Sequence, residues 1–177
     1  MDPVSTNTGN ITAQQVIVPV LNLDLKQKKR MLELLMKKKE ARERRPIDNY
    51  LAHKGQLSFH ESQTHTRLLC GGNRSGKSTA GIAEDIWFLL GIHPYRPNRV
   101  PVKLWICGPD FPVWARTVMI PKFKAWVPKE SVAKITKNHE GIESTWEFHN
   151  GSILEFKAYT QDSTSFESAD VDAIHWD

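Results

Sequence analysis

Hydrophobic and polar positions divide the chain into a polar N-terminal part and an apolar-rich remainder. The N-terminal part predicts one helix, which begins after Asn22 or Asp24 and ends near Arg45, before the helix-breaking Pro46. The apolar stripe of this helix is irregular and consists of Leu21, Leu25, Leu32, Leu35 and Met36. Since residues 37–45 have almost no apolar face, that half is expected to face solvent or a partner.

From Gln56 onward, short apolar runs alternate with amphipathic stretches. Three runs are typical of buried strands, namely Arg67–Cys70, Val102–Cys107 and Val171–Trp176. Residues Lys77–Leu90 predict a helix, because their apolar positions recur every three or four residues. The stretch from Phe111 to Trp126 is predicted to be helical in part, because it contains two prolines.

An Asn-Gly pair late in the chain marks a turn. Asn150-Gly151 lies between two alternating runs, Thr145–Phe148 and Ser152–Ala158, which is a strong local signal for a β-hairpin. Strands separated by helices indicate an α/β domain with a largely parallel sheet, in which the hairpin is an antiparallel insertion. The sequence therefore predicts a three-layer α/β core in residues 56–177, behind a helical N-terminal arm in residues 1–55.

Composition adds a charge asymmetry and excludes two classes of protein. The net charge is +4, and residues 1–45 hold ten Lys and Arg against five Asp and Glu, so the basic excess belongs to the arm. Such an arm is typical either of nucleic-acid contact or of a solvated helix face. No apolar run is long enough to span a bilayer, and the N-terminus lacks a secretory pattern. Cys70 and Cys107 lie in apolar runs, which predicts buried reduced thiols in a cytosolic protein.

Residues 71–78 carry the clearest chemical signal. They read Gly-Gly-Asn-Arg-Ser-Gly-Lys-Ser, which fits the phosphate-binding pattern G-x-x-x-x-G-K-[ST]. Glycines allow successive N–H groups to point inward as an anion nest, and the following helix adds the positive end of its dipole. Lys77 supplies a cation for the β- and γ-phosphates of ATP, and the Ser78 hydroxyl can ligate Mg²⁺. The predicted nucleotide-binding residues of this segment are Gly71, Gly72, Asn73, Arg74, Ser75, Gly76, Lys77, Ser78 and Thr79.

Asp177 follows the last predicted strand and is the candidate second magnesium ligand. P-loop ATPases place an acidic residue at the tip of a strand beside the loop, where it holds Mg²⁺. An aspartate at the end of an apolar strand is otherwise a turn or cap residue. Many such enzymes have a glutamate directly afterwards that polarises the attacking water, and that residue would follow Asp177.

The residues around the loop leave alternatives open. Arg74 either reaches the γ-phosphate as an in-cis arginine finger or points outward and pairs with an acidic neighbour. Gln56 and Phe59 suit contact with adenine through an amide and an aromatic ring, whereas ordinary core packing is the alternative for Phe59. His60 is expected to be a satisfied surface histidine. The remaining histidines show no metal-ligand spacing, so they predict no metal site.

Three stretches carry a resemblance to a known family. The first joins Gln56-Leu-Ser-Phe-His-Glu-Ser to Arg67-Leu-Leu-Cys-Gly-Gly-Asn-Arg-Ser-Gly-Lys-Ser-Thr. The second is Trp105-Ile-Cys-Gly-Pro, and the third is Ser165-Phe-Glu-Ser-Ala-Asp-Val-Asp-Ala-Ile-His-Trp-Asp. Together they resemble the ATPase domain of the large terminase subunit of tailed phages over about residues 56–177. The resemblance implies that Gln56 contacts adenine, that Arg74 acts at the γ-phosphate and that Asp177 is the magnesium-side acid.

The resemblance also implies a biological role. The family uses ATP and Mg²⁺ in the host-cell cytoplasm to drive viral double-stranded DNA through a portal into a procapsid. Implied partners are double-stranded DNA, the portal protein and the small terminase subunit, with the motor subunits forming a homo-oligomeric ring. Its full members also carry the hydrolytic glutamate and a C-terminal nuclease, which this sequence lacks, so nucleotide binding with weak or no turnover is expected. A helicase-like P-loop ATPase and a truncated nucleotide-binding protein without turnover are the alternatives.

Overall fold

The structure is a computed structural model that describes residues 24–167 and 170–177. The chain divides after Ala41 into two compact units. The first helix, α1, spans Leu25–Arg44, which confirms the helix predicted in this part of the chain. Asp24 caps this helix reciprocally, since its Oδ1 accepts from the Gln27 amide at 2.7 Å and Gln27 Oε1 accepts from the Asp24 amide at 3.0 Å. Asn22, the alternative cap, and Leu21 of the predicted stripe lie outside the described residues.

A five-stranded mixed sheet forms the centre of the second unit. Its strands are β1 (Lys103–Gly108), β2 (Val132–Lys137), β3 (Glu143–Phe148), β4 (Ile153–Ala158) and β5 (Ala173–Trp176), in the order β2-β3-β4-β1-β5. Strand β1 is parallel to both β4 and β5, whereas β3 is antiparallel to both β2 and β4. The α/β class is confirmed. A largely parallel sheet was expected, whereas two of the four strand pairs are parallel and two are antiparallel. The sequence pattern missed β2, because most of its side chains are exposed and it has no apolar run.

Helices cover one face of this sheet and bury the core. They are α3 (Lys77–Leu90) and a π-helical segment (Phe111–Met119) that continues directly into α4 (Ile120–Trp126), while α2 (Lys54–Glu61) contacts α3. The buried core includes Ile82, Ile86, Leu104, Ile106, Phe123, Trp146, Leu154 and Phe156. The bounds of α3 agree with the sequence prediction. Within the described ranges, no helix is long and apolar enough to cross a membrane.

The opposite face of β1 and β4 is charged, and none of the α-helices described in the second unit packs on it. Trp105 Nε1 donates to Glu155 Oε2 at 2.7 Å, and the Lys157 ammonium lies 5.0 Å from the Trp105 ring centroid. Phe166, in the short 3-10 segment Ser163–Phe166, packs edge-on against Trp105. The predicted third layer is therefore not seen in the part of the chain that the structure describes. The side chains on this face are paired with one another through ion pairs and one aromatic contact, and are not covered by a packed helix of the described chain.

The Asn150-Gly151 hairpin is confirmed. Gly151 adopts the left-handed φ of 84° that the turn requires, and the Phe148 amide donates to the Ser152 carbonyl at 2.9 Å. Asn150 Nδ2 also donates to the carbonyl of Leu89 at 2.8 Å, near the C-terminal end of α3. The turn therefore connects the hairpin to the helix that follows the glycine-rich loop.

The strand predicted at residues 67–70 is wrong. The segment forms no hydrogen-bonded ladder with any strand of the described ranges, and Leu68 is 86% exposed. Cys70 is exposed as well, whereas Cys107 is fully buried in β1, so only one of the two thiols is buried as expected. An apolar run predicts a buried strand only where a neighbouring strand or helix covers it.

Candidate functional site

The loop between residues 71 and 76 has the backbone of an anion nest. Two of its residues adopt left-handed conformations, Arg74 with φ of 60° and Gly76 with φ of 81°. For a non-glycine residue this conformation costs about 1–3 kcal/mol, so the loop holds Arg74 in a strained state. A turn closed by the Ser75 amide on the Gly72 carbonyl, at 3.3 Å, curls the chain directly before α3. The amides that begin α3 have no side-chain cap and no intrahelical acceptor.

Lys77 extends back over this loop. Its ammonium donates to the carbonyl oxygens of Gly71 at 2.8 Å and Gly72 at 2.9 Å. The loop therefore combines a cation with N–H groups that have no acceptor within the described ranges, which is the chemistry that binds a phosphate chain. Asn73 is exposed and Thr79 is half-buried, and neither side chain hydrogen-bonds within the described residues.

Ser75 supplies a buried polar atom that lacks a partner among the described residues. Its Oγ is inaccessible to solvent and makes no hydrogen bond within residues 24–167 and 170–177, and it would lie 2.8 Å from a Cβ placed on Gly71. An unpaired buried hydroxyl costs free energy unless a ligand or another group satisfies it. The loop thus has an unsatisfied hydroxyl in addition to its unpaired amides, which fits an anionic ligand.

Ser78 and Asp177 meet at the edge of the loop, although 99 positions separate them in the sequence. Ser78 Oγ donates to Asp177 Oδ1 at 3.0 Å. The chain after β5 is held in place by three further bonds: the Asp177 amide donates to the Cys107 carbonyl, the Tyr159 hydroxyl donates to the Asp177 carbonyl, and Trp114 Nε1 donates to Asp177 Oδ2 at 2.9 Å. A hydroxyl and a carboxylate at this separation are the oxygen ligands that Mg²⁺ prefers.

Trp114 is a residue that the sequence interpretation missed. It lies in the π-helical segment, whose first turn is capped by Asp110 through the Val113 amide at 2.7 Å. The indole passes so close to β1 that a Cβ on Gly108 would lie 2.1 Å from a ring carbon. Gly108 is therefore required for this approach. The sequence contains no local signal that this tryptophan reaches Asp177.

A second contact joins β5 to the helix that follows the loop. His175 Nδ1 lies 2.7 Å from Oδ2 of the buried Asp85 on α3. Burial alone would lower the pKa of His175, but the Asp85 carboxylate outweighs this effect and raises that pKa above its usual value. Gly81 provides the necessary space, because a Cβ there would lie 2.5 Å from His175 Cε1. Asp177 directly follows β5, and the loop directly precedes α3. The contact between His175 and Asp85 therefore joins the two elements that position Asp177 and the loop.

The three α2 residues singled out in the sequence, Gln56, Phe59 and His60, differ in their surroundings. Gln56 is buried and donates through Nε2 to the Gly76 carbonyl at 2.9 Å. His60 is fully buried rather than at the surface, with Nδ1 2.6 Å from Glu84 Oε1 and Nε2 2.8 Å from the Tyr50 hydroxyl. Phe59 is half-buried, and the Arg67 guanidinium lies 4.7 Å from its ring centroid.

Phe59 lines an open cavity of about 410 Å³ beside the loop. The cavity is also lined by Gly55, Ser58, Thr66, Arg67 and Cys70. This volume lies within the range of small-molecule sites. Of the three α2 residues, only Phe59 lies along it, since Gln56 and His60 are engaged with protein groups.

Arg74 is exposed at the tip of the loop. Its side chain forms no ion pair or hydrogen bond with the rest of the described chain, so pairing with an acidic neighbour is not seen. Within the described ranges, no group of three or more His, Cys, Asp or Glu side chains is arranged to hold a metal ion by itself. A cation at Ser78 and Asp177 therefore needs further ligands from water or from the phosphates of a nucleotide.

Comparison with known proteins identifies a shared fold. No family model matches the sequence, and no curated protein matches it. The structure is similar to the large terminase ATPase domain of Thermus phage P74-26, with 17% sequence identity and a TM-score of 0.54. The match covers 74% of this chain and 55% of that domain, so this chain spans about half the length of its structural neighbour. The chain thus has a fold similar to that of a phage large-terminase ATPase domain.

Proposed function

We propose that this chain binds ATP as a subunit of a motor that uses ATP hydrolysis to package viral double-stranded DNA into a procapsid. One observation carries the proposal: Ser78 Oγ and Asp177 Oδ1 lie 3.0 Å apart beside the phosphate-type loop. A glycine-rich turn before a helix is common, but a carboxylate brought to the first turn of that helix from a distant strand is the specific requirement of an ATP–Mg²⁺ site.

Each loop residue has a role in this proposal. The amides of residues 71–78 and the Lys77 ammonium bind the β- and γ-phosphates, while Ser78 and Asp177 hold the cation. Bound Mg²⁺ neutralises charge on the β- and γ-phosphate oxygens. Arg74 is exposed and has no partner among the described residues, so its side chain can contact the γ-phosphate and stabilise charge there during hydrolysis.

The packaging context is supported by the fold and by charge. The terminase-like fold suggests double-stranded DNA, a portal protein and a small terminase subunit as partners, and a homo-oligomeric ring as the assembled state. The basic residues of α1 provide a surface for DNA phosphates, whose binding would weaken steeply with salt. The host-cell cytoplasm is the compartment that this role requires.

Isothermal titration of MgATP into the 177-residue chain tests the proposal. Lys77→Ala should weaken MgATP binding by about tenfold to a hundredfold, because it removes a charge-assisted contact of about 1.5–3 kcal/mol. Lys122→Ala is the matched control, since Lys122 is an exposed lysine on α4, and it should leave the affinity unchanged. Failure of the wild-type chain to bind MgATP, or equal affinities for the two variants, would refute the proposed function.

A further inference from the structure

The N-terminus of α2 supports the phosphate-type loop from outside. His53, the residue that caps α2, has its Nε2 3.1 Å from the Ser75 carbonyl oxygen. Gln56, three residues later, donates from Nε2 to the Gly76 carbonyl oxygen at 2.9 Å. Two side chains from one short helix therefore contact two consecutive carbonyls of the loop. We call His53 and Gln56 the loop clamp.

Both residues of the loop clamp are held in place by hydrogen bonds at the N-terminus of α2. Gln56 Oε1 accepts from the His53 amide at 3.0 Å, and His53 Nδ1 accepts from the Gly55 amide at 3.2 Å. Because Nδ1 accepts a hydrogen bond, the ring proton resides on Nε2, the nitrogen that faces Ser75. Each side chain thus uses one polar atom to fix itself and the other to donate to the loop.

The clamped carbonyls belong to the peptide units that carry the phosphate-facing amides. In a trans peptide the C=O and N–H bonds point in opposite directions. The unit that begins with the Ser75 carbonyl carries the Gly76 amide, and the unit that begins with the Gly76 carbonyl carries the Lys77 amide. Anchoring these two carbonyls on α2 therefore directs the two amides away from α2. A hydrogen bond at the carbonyl also polarises the peptide, which strengthens its N–H as a donor.

Gly76 is shaped for this contact as well as for the turn. Its φ of 81° is left-handed, and a Cβ at this position would lie 2.7 Å from Gln56 Nε2. A side chain there would displace the Gln56 amide from the loop. The same carbonyl also accepts the Ala80 amide at 2.9 Å, so Gly76 joins α2, the loop and the first turn of α3.

We propose that His53 and Gln56 are positioning residues that orient the phosphate-binding amides of Gly76 and Lys77. In this role Gln56 contributes to affinity for the phosphate chain whatever base is attached to it. The family resemblance implies instead that Gln56 contacts adenine, whereas here both polar atoms of its side chain bond to protein groups. The inference rests on the proposed function, because it requires that the loop binds a nucleotide.

Three ligands separate phosphate positioning from base recognition: MgATP, MgGTP and magnesium tripolyphosphate. Gln56→Met keeps the length of the side chain but removes its donor. It should weaken all three ligands by a similar factor of about fivefold, the equivalent of one hydrogen bond of about 1 kcal/mol. The matched control is Gln63→Met, because the Gln63 amide donates to the carbonyls of Glu61 and Tyr95 and not to the loop. It should leave all three affinities within twofold of wild type.

A second variant and a spectroscopic readout keep the test independent of folding. His53 is exposed, so His53→Ala creates no buried cavity and should also weaken all three ligands in parallel. With amide-proton NMR resonances assigned in the ligand-free chain, that of Lys77 should move upfield in Gln56→Met and that of Gly76 in His53→Ala, because in each variant the carbonyl of that peptide unit loses its donor.

The outcomes are distinguishable. Loss of MgATP binding alone in Gln56→Met, with MgGTP and tripolyphosphate unchanged, would overturn the loop clamp and assign Gln56 to the base. Unchanged affinities in both clamp variants would overturn it too. If the wild-type chain bound none of the three ligands, the proposed function itself would fail, and the loop clamp with it.

Discussion

Replacing Glu84 by glutamine tests how α2 and the segment before the loop are held on α3. Glu84 is 8% exposed; its Oε1 accepts from His60 Nδ1 at 2.6 Å, and its Oε2 accepts from the Arg67 guanidinium at 2.5 Å. His93 Nε2 lies 3.1 Å from Oε1, although it lacks the alignment of a hydrogen bond. Removing one partner of a buried ion pair costs about 3–5 kcal/mol. Since glutamine keeps the shape and one acceptor, Glu84→Gln should lower the free energy of unfolding by about 3 kcal/mol.

The same carboxylate predicts a pH dependence. Burial alone would raise the pKa of Glu84, but the hydrogen bonds from His60 and Arg67 outweigh it and hold that pKa well below its usual range. A depressed pKa stabilises the folded state above the unfolded-state value of about 4.3, and this stability is lost as the pH falls toward the folded-state pKa. The wild-type chain should therefore lose more stability than Glu84→Gln as the pH falls from about 5 to about 3. Burial and the nearby Glu84 charge raise the pKa of Tyr50 to about 12, so its hydroxyl stays protonated throughout this range.

Urea denaturation followed by circular dichroism, at neutral and acidic pH, measures both effects. Glu147→Gln is the control, because Glu147 forms an exposed ion pair with Lys134 at 3.4 Å on the β2–β3 hairpin. It should change the free energy of unfolding by less than about 1 kcal/mol. The reasoning is refuted if Glu84→Gln and Glu147→Gln unfold with the same free energy at neutral pH, or if Glu84→Gln retains the full acid sensitivity of the wild type.

Two further predictions concern the elements that position Asp177. Gly81→Ala should lower the free energy of unfolding by about 1–3 kcal/mol in urea denaturation, because its Cβ would lie 2.5 Å from His175 Cε1. If the same loss is measured in a His175→Ala background, the steric explanation is contradicted. Trp114→Phe removes the indole donor to Asp177 and should weaken nucleotide binding about fivefold with Mg²⁺ present but not in EDTA, as measured by titration calorimetry. Trp105→Phe removes an indole hydrogen bond on the opposite face of the sheet and should change the nucleotide affinity neither with Mg²⁺ nor in EDTA. Equal effects of the two tryptophan variants would rule out this role for Trp114.

Several elements could be predicted from the sequence because their determinants are local. The bounds of α3 follow from apolar spacing within a few turns, and the Asn150-Gly151 turn follows from the left-handed backbone that its glycine adopts. The cap at Asp24 likewise depends on a residue three positions away. The glycine-rich loop was recognisable for the same reason, since its residue types determine its own backbone.

Other features were decided only by the tertiary structure. The apolar run at residues 67–70 is not a ladder strand, because burial depends on a neighbour that the local pattern cannot specify. The hydrogen bond from Trp114 to Asp177 forms only because the π-helical segment packs against the end of β1. The packing of α2 against the loop determines that the Gln56 side chain points to the Gly76 carbonyl. From its residue type alone, a contact with a base was equally plausible.

The sequence by itself determined the loop chemistry, the helices α1 and α3, the hairpin and the acidic residue at the end of the last strand. Only the tertiary structure decided that Ser78 and Asp177 lie 3.0 Å apart. The physical reason is that helix and turn formation depends on steric and hydrogen-bonding terms within a few residues. The approach of two side chains 99 positions apart depends instead on the order of the strands and on the contact of β5 with α3 through His175 and Asp85.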